Sequence, residues 1–306
     1  MIGLRRGAVT AIVERAEGLV RLEVDGVACV AYPRLTGPVA LGDEVLVNAQ
    51  ARELALGSGG FDVLIANLTR GLGLPPEPGA HVMTLPYTPV QSAVHFAEET
   101  DELAEGLGGM PVVLCTVHSQ VAPVAAGLAG KRVAYVQVAG GALPVSLSDT
   151  VRVLKARGLV DVAVAVAPCL DGDVQCAGVA GALLWAAHRY EAVIASVGPG
   201  LVGTGSPWGH GALALADVAN VARALGGEPI LAVRVSERDE RERHRGVSHH
   251  ARAVLALASP TVPEGGGEGW EEACAGLPLS HMGRGGEEEP AFFAEAFAAG
   301  RLARQR

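Results

Sequence analysis

The segment AVIASVGPGLVGTGSPWGHGALALADVAN, residues 192–220, contains the pattern that decides the fold. An apolar run ends at Val197, a loop with four glycines follows, and an alanine-rich helix is predicted to begin at Ser206-Pro207. A strand, a glycine-rich loop and a helix in this order form the repeating unit of a parallel α/β sheet. We therefore expect an α/β domain whose ligand site lies near this loop.

The glycine loop is a candidate anion site, because backbone N–H groups at a helix N-terminus attract negative charge. The predicted ligand-binding residues are Gly198, Gly200, Gly203, Thr204, Gly205 and Ser206. The alternative is that the glycines only permit a tight turn and close helix–sheet packing. The spacing fits G-x-G-x-x-G formally, but more loop precedes the helix than in a dinucleotide site, and the sequence has no Walker loop.

Apolar runs that alternate with segments of helical length predict the main architecture. The runs cover residues 112–117, 133–138, 160–167, 192–197 and 230–235. Continuous apolar runs are typical of strands that are buried on both faces. The predicted fold class is α/β, with a mostly parallel Rossmann-like sheet flanked by helices.

The N-terminal part has a different style. Short strand patterns separated by Gly and Asp turn signals predict a small β-barrel or β-sandwich; they cover residues 8–14, 19–24, 28–32, 44–49 and 61–67. The predicted organisation is a β domain (1–70), a connector with an acidic helix over 91–107 (71–110), an α/β ligand-binding domain (111–263), and a Gly/Glu-rich segment with a docking helix (264–306).

Chemically active side chains follow the predicted strands, at the edge where parallel sheets bind their ligands. The catalytic candidates are His118, His244 and His249, since a neutral imidazole suits acid–base work. The candidate ligands for a divalent metal, the one cofactor considered, are His249, His250 and Asp171.

Each of these candidates has a structural alternative. An Asx turn accounts for Asp171, and the charged segment 236–250 fits a solvated loop. Ser248 is predicted to cap a helix that runs to about residue 257. Adjacent helix positions diverge by about 100°, so His249 and His250 are not expected to face one ion together.

Composition narrows the class of protein. The net charge is -9, which argues against partners such as nucleic acid or an anionic membrane surface. The N-terminus does not have the pattern of a signal peptide, and the five cysteines form no C-x-x-C pair, which favours a cytoplasmic protein. The expected partner is a small anionic ligand, and a homo-oligomer is compatible with the sequence.

Four strings resemble an uncharacterised bacterial family defined as a domain of unknown function. They are HVMTLPYTP (81–89), GPGLVGTGSPWG (198–209), RERHRGVSHH (241–250) and HMGRGGEEEPAFF (281–293). The resemblance spans nearly the whole chain and implies a bacterial protein of this domain order, without an activity. The family usually has a basic residue in the first string, whereas this chain has Thr84 and Pro86.

Two functions from different classes remain open. One is a metal-assisted hydrolase or an enzyme that handles phosphoryl groups or nucleotides, with the histidines as acid–base groups or metal ligands. The alternative is a non-catalytic small-molecule-binding or regulatory protein that uses the same pocket. The histidines at strand ends favour the enzyme, whereas the absence of G-x-S-x-G, H-E-x-x-H and Walker sequences favours the binding protein.

Overall fold

The computed structural model describes residues 3–55, 59–71 and 77–306 of the chain. Its contacts divide the chain into two compact units, residues 1–94 and 95–306. The finer division of the sequence into four parts stays a prediction.

The first unit contains a closed five-stranded barrel in the order β1-β2-β3-β5-β4. Its strands are β1 (Leu4–Ala16), β2 (Leu19–Val24), β3 (Val27–Ala31), β4 (Glu44–Asn48) and β5 (Asp62–Asn67), with the one-turn helices α1 (Pro33–Thr36) and α2 (Gln50–Glu53) between them. All neighbours are antiparallel except β3 and β5. Of the predicted barrel or sandwich, the structure shows the barrel. The Glu-Gly and Asp-Gly turns lie between the alternating runs that form its first three strands.

Alternating side chains of these strands fill the barrel interior. On β2, Val20, Leu22 and Val24 are buried and face Val45 and Val47 in one apolar cluster. This period of two is the pattern that the sequence displays.

The segment between the barrel and the α/β sheet corrects one prediction. A two-stranded hairpin, β6 (Val82–Thr84) with β7 (Ser92–Val94), occupies part of it. The acidic helix expected over 91–107 is wrong: the only helix there is α3 (Ala97–Thr100). The carboxylate of Glu98, within α3, accepts hydrogen bonds from the backbone N–H groups of Ala177 and Gly178, so this acidic residue binds backbone donors rather than facing solvent.

The second unit is built on a six-stranded parallel sheet in the order β11-β10-β9-β12-β8-β13. The strands are β8 (Pro111–Cys115), β9 (Val133–Val138), β10 (Val162–Val166), β11 (Val174–Cys176), β12 (Ala192–Val197) and β13 (Glu228–Ala232). Five of them were predicted, and the parallel sheet flanked by helices is confirmed; the narrower description as Rossmann-like stays a prediction. The short edge strand β11 was missed because three residues give no periodic signal.

Helices cover both faces of this sheet. Alternate strand residues pack to opposite sides: Val113 lies in one buried cluster and Leu114 in the other. The first cluster includes residues of α4 (Val121–Gly127), α5 (Asp149–Ala156), α9 (Trp270–Ala273) and α10 (Pro290–Arg304), and the second includes residues of α6 (Val179–Ala187), α7 (Ala214–Ala224) and α8 (His249–Ala258). Pro290 opens α10, and Phe292 on this helix is buried in the first cluster.

Two glycines let α10 lie unusually close to α4. A Cβ atom on Gly300 would lie 2.2 Å from the carbonyl oxygen of Val124, and one on Gly127 would lie 2.5 Å from that of Phe297. Small residues at this crossing are therefore a geometric requirement. Within residues 3–55, 59–71 and 77–306, the chain has no helix that is long and apolar enough to cross a membrane.

Candidate functional site

Four histidine rings converge at the carboxyl edge of the parallel sheet. The ring of His250 lies 4.2 Å from that of His210, 4.8 Å from that of His244 and 4.5 Å from that of His249, measured between centroids. His249 is also 4.7 Å from His244 and 5.2 Å from His210. All four residues are buried, so the histidine end of segment 236–250 lies in an interior polar cluster rather than in the solvated loop that was its structural alternative. We call these four residues the histidine cluster.

The start of α8 positions three members of the cluster. Ser248 caps this helix, as predicted, and its Oγ accepts a hydrogen bond from the backbone N–H of His250 at 3.3 Å. The same hydroxyl lies 2.8 Å from Nδ1 of His244, which ends a short 3₁₀ turn (Glu242–His244). The 3₁₀ turn lies in the connection of a short hairpin, in which β14 (Val235–Ser236) pairs with β15 (Gly246–Val247). The second strand of this hairpin leads into α8. One serine therefore holds both the helix and the orientation of a neighbouring imidazole.

The expectation that His249 and His250 diverge is wrong. Both occupy the first turn of α8, and side chains there lean back toward the helix N-terminus. At that position the two rings can turn toward a common point beyond the end of the helix. The 100° separation therefore does not keep the two rings apart, because both residues lie in the first turn.

The glycine loop positions the fourth histidine. After β12 the chain makes an isolated antiparallel bridge between Gly203 and His210, and α7 begins at Ala214 rather than at the predicted Ser206-Pro207. A 3₁₀ turn, Gly211–Leu213, separates the loop from that helix. The glycine loop therefore leads to His210 and does not open the helix directly.

Several backbone N–H groups of the loop already have protein acceptors. Thr204 N–H donates to the carbonyl of Gly209, Ser206 N–H to Oγ1 of Thr204, and Trp208 N–H to Oγ of Ser206. Gly198 reflects close packing, because a Cβ at this position would lie 2.1 Å from the carbonyl oxygen of Ala142. The phosphate-binding role of Gly198, Gly200, Gly203, Thr204, Gly205 and Ser206 stays a prediction.

A buried arginine joins the cluster from the end of β13. Nη1 of Arg234 lies 3.1 Å from Nδ1 of His250, and its Nη2 lies 3.3 Å from Oδ2 of Asp239 and 3.5 Å from Nε2 of His281. Arg241 also binds Asp239, from Nε at 3.0 Å and from Nη2 at 2.9 Å. Two guanidinium groups thus share one carboxylate beside the histidines.

The C-terminal part of the chain closes this network. Nδ1 of His281 lies 3.1 Å from Oγ of Ser119, and its ring stacks on Phe292 with centroids 3.9 Å apart. Glu289 accepts hydrogen bonds from Oγ of Ser236 and Nε of Arg284, both at 2.7 Å. The segment after residue 263 therefore supports the site as well as packing on the sheet.

Burial and neighbouring positive charge keep the histidines neutral. Burial is the main cause that lowers the pKa of His244 to about 3, of His249 to about 4 and of His250 to about 2, and the charge of Arg234 lowers all three further. Burial also lowers the pKa of His210. Neutral imidazoles carry a free lone pair at pH 7, which is the state required of a metal ligand or a general base.

Three ring nitrogens in the histidine cluster have no hydrogen-bond partner among the described residues. They are both nitrogens of His210 and Nε2 of His249, all buried. One ligand atom from each of His244, His249 and His250 lies within 4.8 Å of the other two. Buried polar atoms are nearly always bonded, so these open nitrogens indicate a site for a ligand or an ion.

The remaining predicted residues lie apart from this geometric group. The Nδ1 of His118 donates to the carbonyl of Val197 at 3.2 Å, so its Nε2 accepts from Oγ of Ser148 at 2.7 Å. Burial lowers the pKa of His118 to about 4. Asp171 accepts a hydrogen bond from Oγ of Ser146 at 2.9 Å, and the group of three histidines suited to a metal does not include it.

Sequence reasoning missed Arg234, Asp239 and His281. Arg234 ends an apolar strand pattern, where an arginine is usually a solvated terminus, and here it is 2% exposed. Together with the histidine cluster these residues come from three separate segments, around 210, 234–250 and 281, which no local spacing reveals. A hydrophobic strand that ends in arginine just before a histidine-rich segment was the available signal.

The fold and site define a class: a β-barrel unit joined in sequence to a helix-flanked parallel α/β unit with a buried histidine–arginine centre. The chain belongs to the family described as "Protein of unknown function (DUF3866)", whose model matches residues 28–263. The match includes the histidine cluster, Arg234 and Asp239, and ends before His281 and Glu289. No curated protein matches the chain.

Proposed function

We propose that this protein is a metal-dependent hydrolase whose zinc-class ion binds His244, His249 and His250. The observation that supports this proposal is the approach of three buried imidazoles to within 4.8 Å at their ligand atoms. Nitrogens bound tetrahedrally to one zinc ion lie roughly 3.4 Å apart, so the rings need to draw together by only about 1 Å.

The neighbours of the ligands fit this role. A hydrogen bond to the second ring nitrogen of a metal-binding histidine fixes its orientation, and Oγ of Ser248 lies in that position beside Nδ1 of His244. Nε2 of His249 has no other partner among the described residues. Nε2 of His244 and Nε2 of His249 can thus bind a metal without breaking a hydrogen bond among the described residues.

His250 requires one rearrangement. A guanidinium is only a donor, so Nδ1 of His250 accepts from Arg234 and the proton of the neutral ring lies on Nε2. Coordination through Nε2 moves that proton to Nδ1 and breaks the bond to Arg234. Metal binding would therefore free the Nη1 group of Arg234, while Nη2 stays bonded to Asp239.

His210 is the proposed proton acceptor. Its ring contacts His250 and His249, and both of its nitrogens lack a partner among the described residues. A zinc-class ion supplies Lewis-acid activation of water at neutral pH. The water oxygen would bond to the electrophilic atom of an ester while one water proton passes to His210; the bond to the leaving oxygen would break, and His210 would return that proton to the leaving oxygen.

Metal analysis of the purified chain tests the proposal. After loading with Zn²⁺ and removal of excess ion, we expect one bound equivalent per chain, lost in the His244→Ala and His249→Ala variants. His188→Ala is the matched control, since this exposed histidine follows the last residue of α6, lies beside Glu102 and is not a member of the cluster. Chromogenic phosphate monoesters, phosphate diesters and carboxylic esters then serve as hydrolysis substrates.

The outcomes separate the two parts of the proposal. Zinc retained by His249→Ala, or no zinc uptake by the parent chain, contradicts the metal site. Zinc bound at one equivalent without turnover of any ester overturns the hydrolase and leaves a metal-dependent binding protein, the alternative class considered from the sequence.

A further inference from the structure

The charges around the histidine cluster are unbalanced. Arg234 and Arg241 share the single carboxylate of Asp239, while Arg284 is paired with Glu289. The four histidines are neutral, so one guanidinium charge in this region has no carboxylate of its own among these contacts. The side chain of Arg241 is partly exposed to solvent, whereas Arg234 is buried, and an added metal ion would increase the positive charge around this buried guanidinium.

The same region has unused hydrogen-bond donors. Nε of Arg234 and Nη2 of Arg284 are buried and have no partner within residues 3–55, 59–71 and 77–306. Both belong to guanidinium groups, which donate and never accept. The missing partner is therefore rich in acceptors, and the excess charge requires it to be an anion.

Arg234 contacts a proposed metal ligand, and its Nε–H group, which has no partner among the described residues, is free to bind an anion. It now donates from Nη1 to His250, and coordination of a metal by that histidine would free this N–H group as well. Arginine forks match the oxygen spacing of tetrahedral oxyanions, with which they form paired charge-assisted hydrogen bonds.

We infer that the substrate carries a phosphoryl-type oxyanion and that Arg234 binds it once His250 takes up the metal. The inference rests on the proposed metal centre and adds the substrate class. It predicts that metal and anion bind in order, the metal first. Arg234 is a substrate-binding residue in this scheme, and Asp239 is a positioning residue because it holds the guanidinium through Nη2.

Calorimetric titration of inorganic phosphate tests this inference on the zinc-loaded and the metal-free chain. We expect phosphate to bind the zinc-loaded chain at least about tenfold more tightly than the metal-free chain. Arg234→Gln is expected to weaken binding to the loaded chain by about tenfold or more, which corresponds to one charge-assisted hydrogen bond. Zinc content is measured in every sample.

Arg243→Gln is the matched control, because this arginine lies in the same segment and is exposed. It is expected to change phosphate affinity less than about twofold, since an exposed charge is screened. Where Arg234→Gln fails to fold, Arg234→Lys keeps the charge and loses the planar fork, and an intermediate loss of affinity is expected.

Each result has one meaning for this inference. Zinc uptake with no phosphate binding, or with equal phosphate binding in the Arg234 variants, overturns it and leaves the metal centre intact. A chain that takes up no zinc contradicts the proposed function. If such a chain still binds phosphate and needs Arg234 to do so, the anion site alone is supported. If it binds no phosphate, the anion site is overturned too.

Discussion

Nη1 of Arg234 lies 3.1 Å from Nδ1 of His250, and both side chains are buried. Because the guanidinium can only donate, this single contact sets the tautomer of the imidazole. It also places a permanent cation beside rings that burial keeps neutral. The position of the proton on His250 is therefore linked to whether the proposed metal ion is bound by the histidine cluster.

We expect the tautomer of His250 to change when zinc binds. In the metal-free chain, ¹⁵N NMR of the imidazole should show Nδ1 unprotonated and Nε2 carrying hydrogen. Zinc should reverse this assignment, because coordination uses the Nε2 lone pair. An unchanged His250 spectrum at full zinc occupancy would remove this residue from the ligand set.

Ser248→Ala is expected to weaken both the helix and the metal site. Loss of the N-cap hydroxyl should lower the free energy of unfolding by about 1 kcal/mol, measured by urea titration of tryptophan fluorescence. Loss of the contact to Nδ1 of His244 should weaken zinc affinity by roughly 10–100-fold.

Ser248→Thr is the control for this change, because threonine keeps the hydroxyl at the cap. It should retain most of the stability and most of the zinc affinity. Wild-type zinc affinity in Ser248→Ala would show that Ser248 only caps the helix.

His118 should contribute to the loss of stability at acidic pH. Its pKa is lowered to about 4 in the folded chain, whereas an exposed histidine has a pKa of about 6.5. Between these values the unfolded chain binds more protons, so the free energy of unfolding falls as the pH drops through this window. In the His118→Gln variant, the difference between urea midpoints at pH 7 and pH 5 should be smaller than in the parent chain.

The other buried histidines have lowered pKa values too, so the parent chain loses stability by more than His118 accounts for. The comparison between parent and variant isolates the one residue. Parallel pH profiles for the two proteins would mean that His118 titrates normally.

Gly300→Ala should destabilise the contact between α10 and α4. The new Cβ would lie 2.2 Å from the carbonyl oxygen of Val124, and overpacking of this kind costs typically about 1–3 kcal/mol. Thermal unfolding checks the change. Gly178→Ala is the control, since a Cβ there would meet nothing within 4 Å; an equal effect of both substitutions would argue against the close crossing.

The sequence predicts most strands because their signals are local. The Asp25-Gly26 turn between alternating runs and the continuous valine-rich segments need no knowledge of distant contacts. Helix positions were less certain where tertiary contacts override the local pattern. Residues 91–107 have a helical composition, yet only Ala97–Thr100 are helical, and the side chain of Glu98 binds the distant backbone donors of Ala177 and Gly178.

The candidate site was only partly predictable for the same reason. His244, His249 and His250 stand together in the sequence, whereas Arg234 precedes them across a hairpin and His281 comes from a remote segment. Their association depends on the topology of the sheet and on the docking of α10. The spacing of residues along the sequence predicts neither the sheet topology nor this docking.

The dependence of the centre on residues 281–289 has a consequence for synthesis. The strands of the sheet and the whole histidine cluster leave the ribosome before His281 and Glu289, which bond to Ser119 and Ser236. A nascent chain that stops at residue 263 would hold the charges of Arg234 and Asp239 without these partners. Completion of the hydrogen-bond network around the histidine cluster thus depends on residues that are synthesised after the sheet and after the cluster itself.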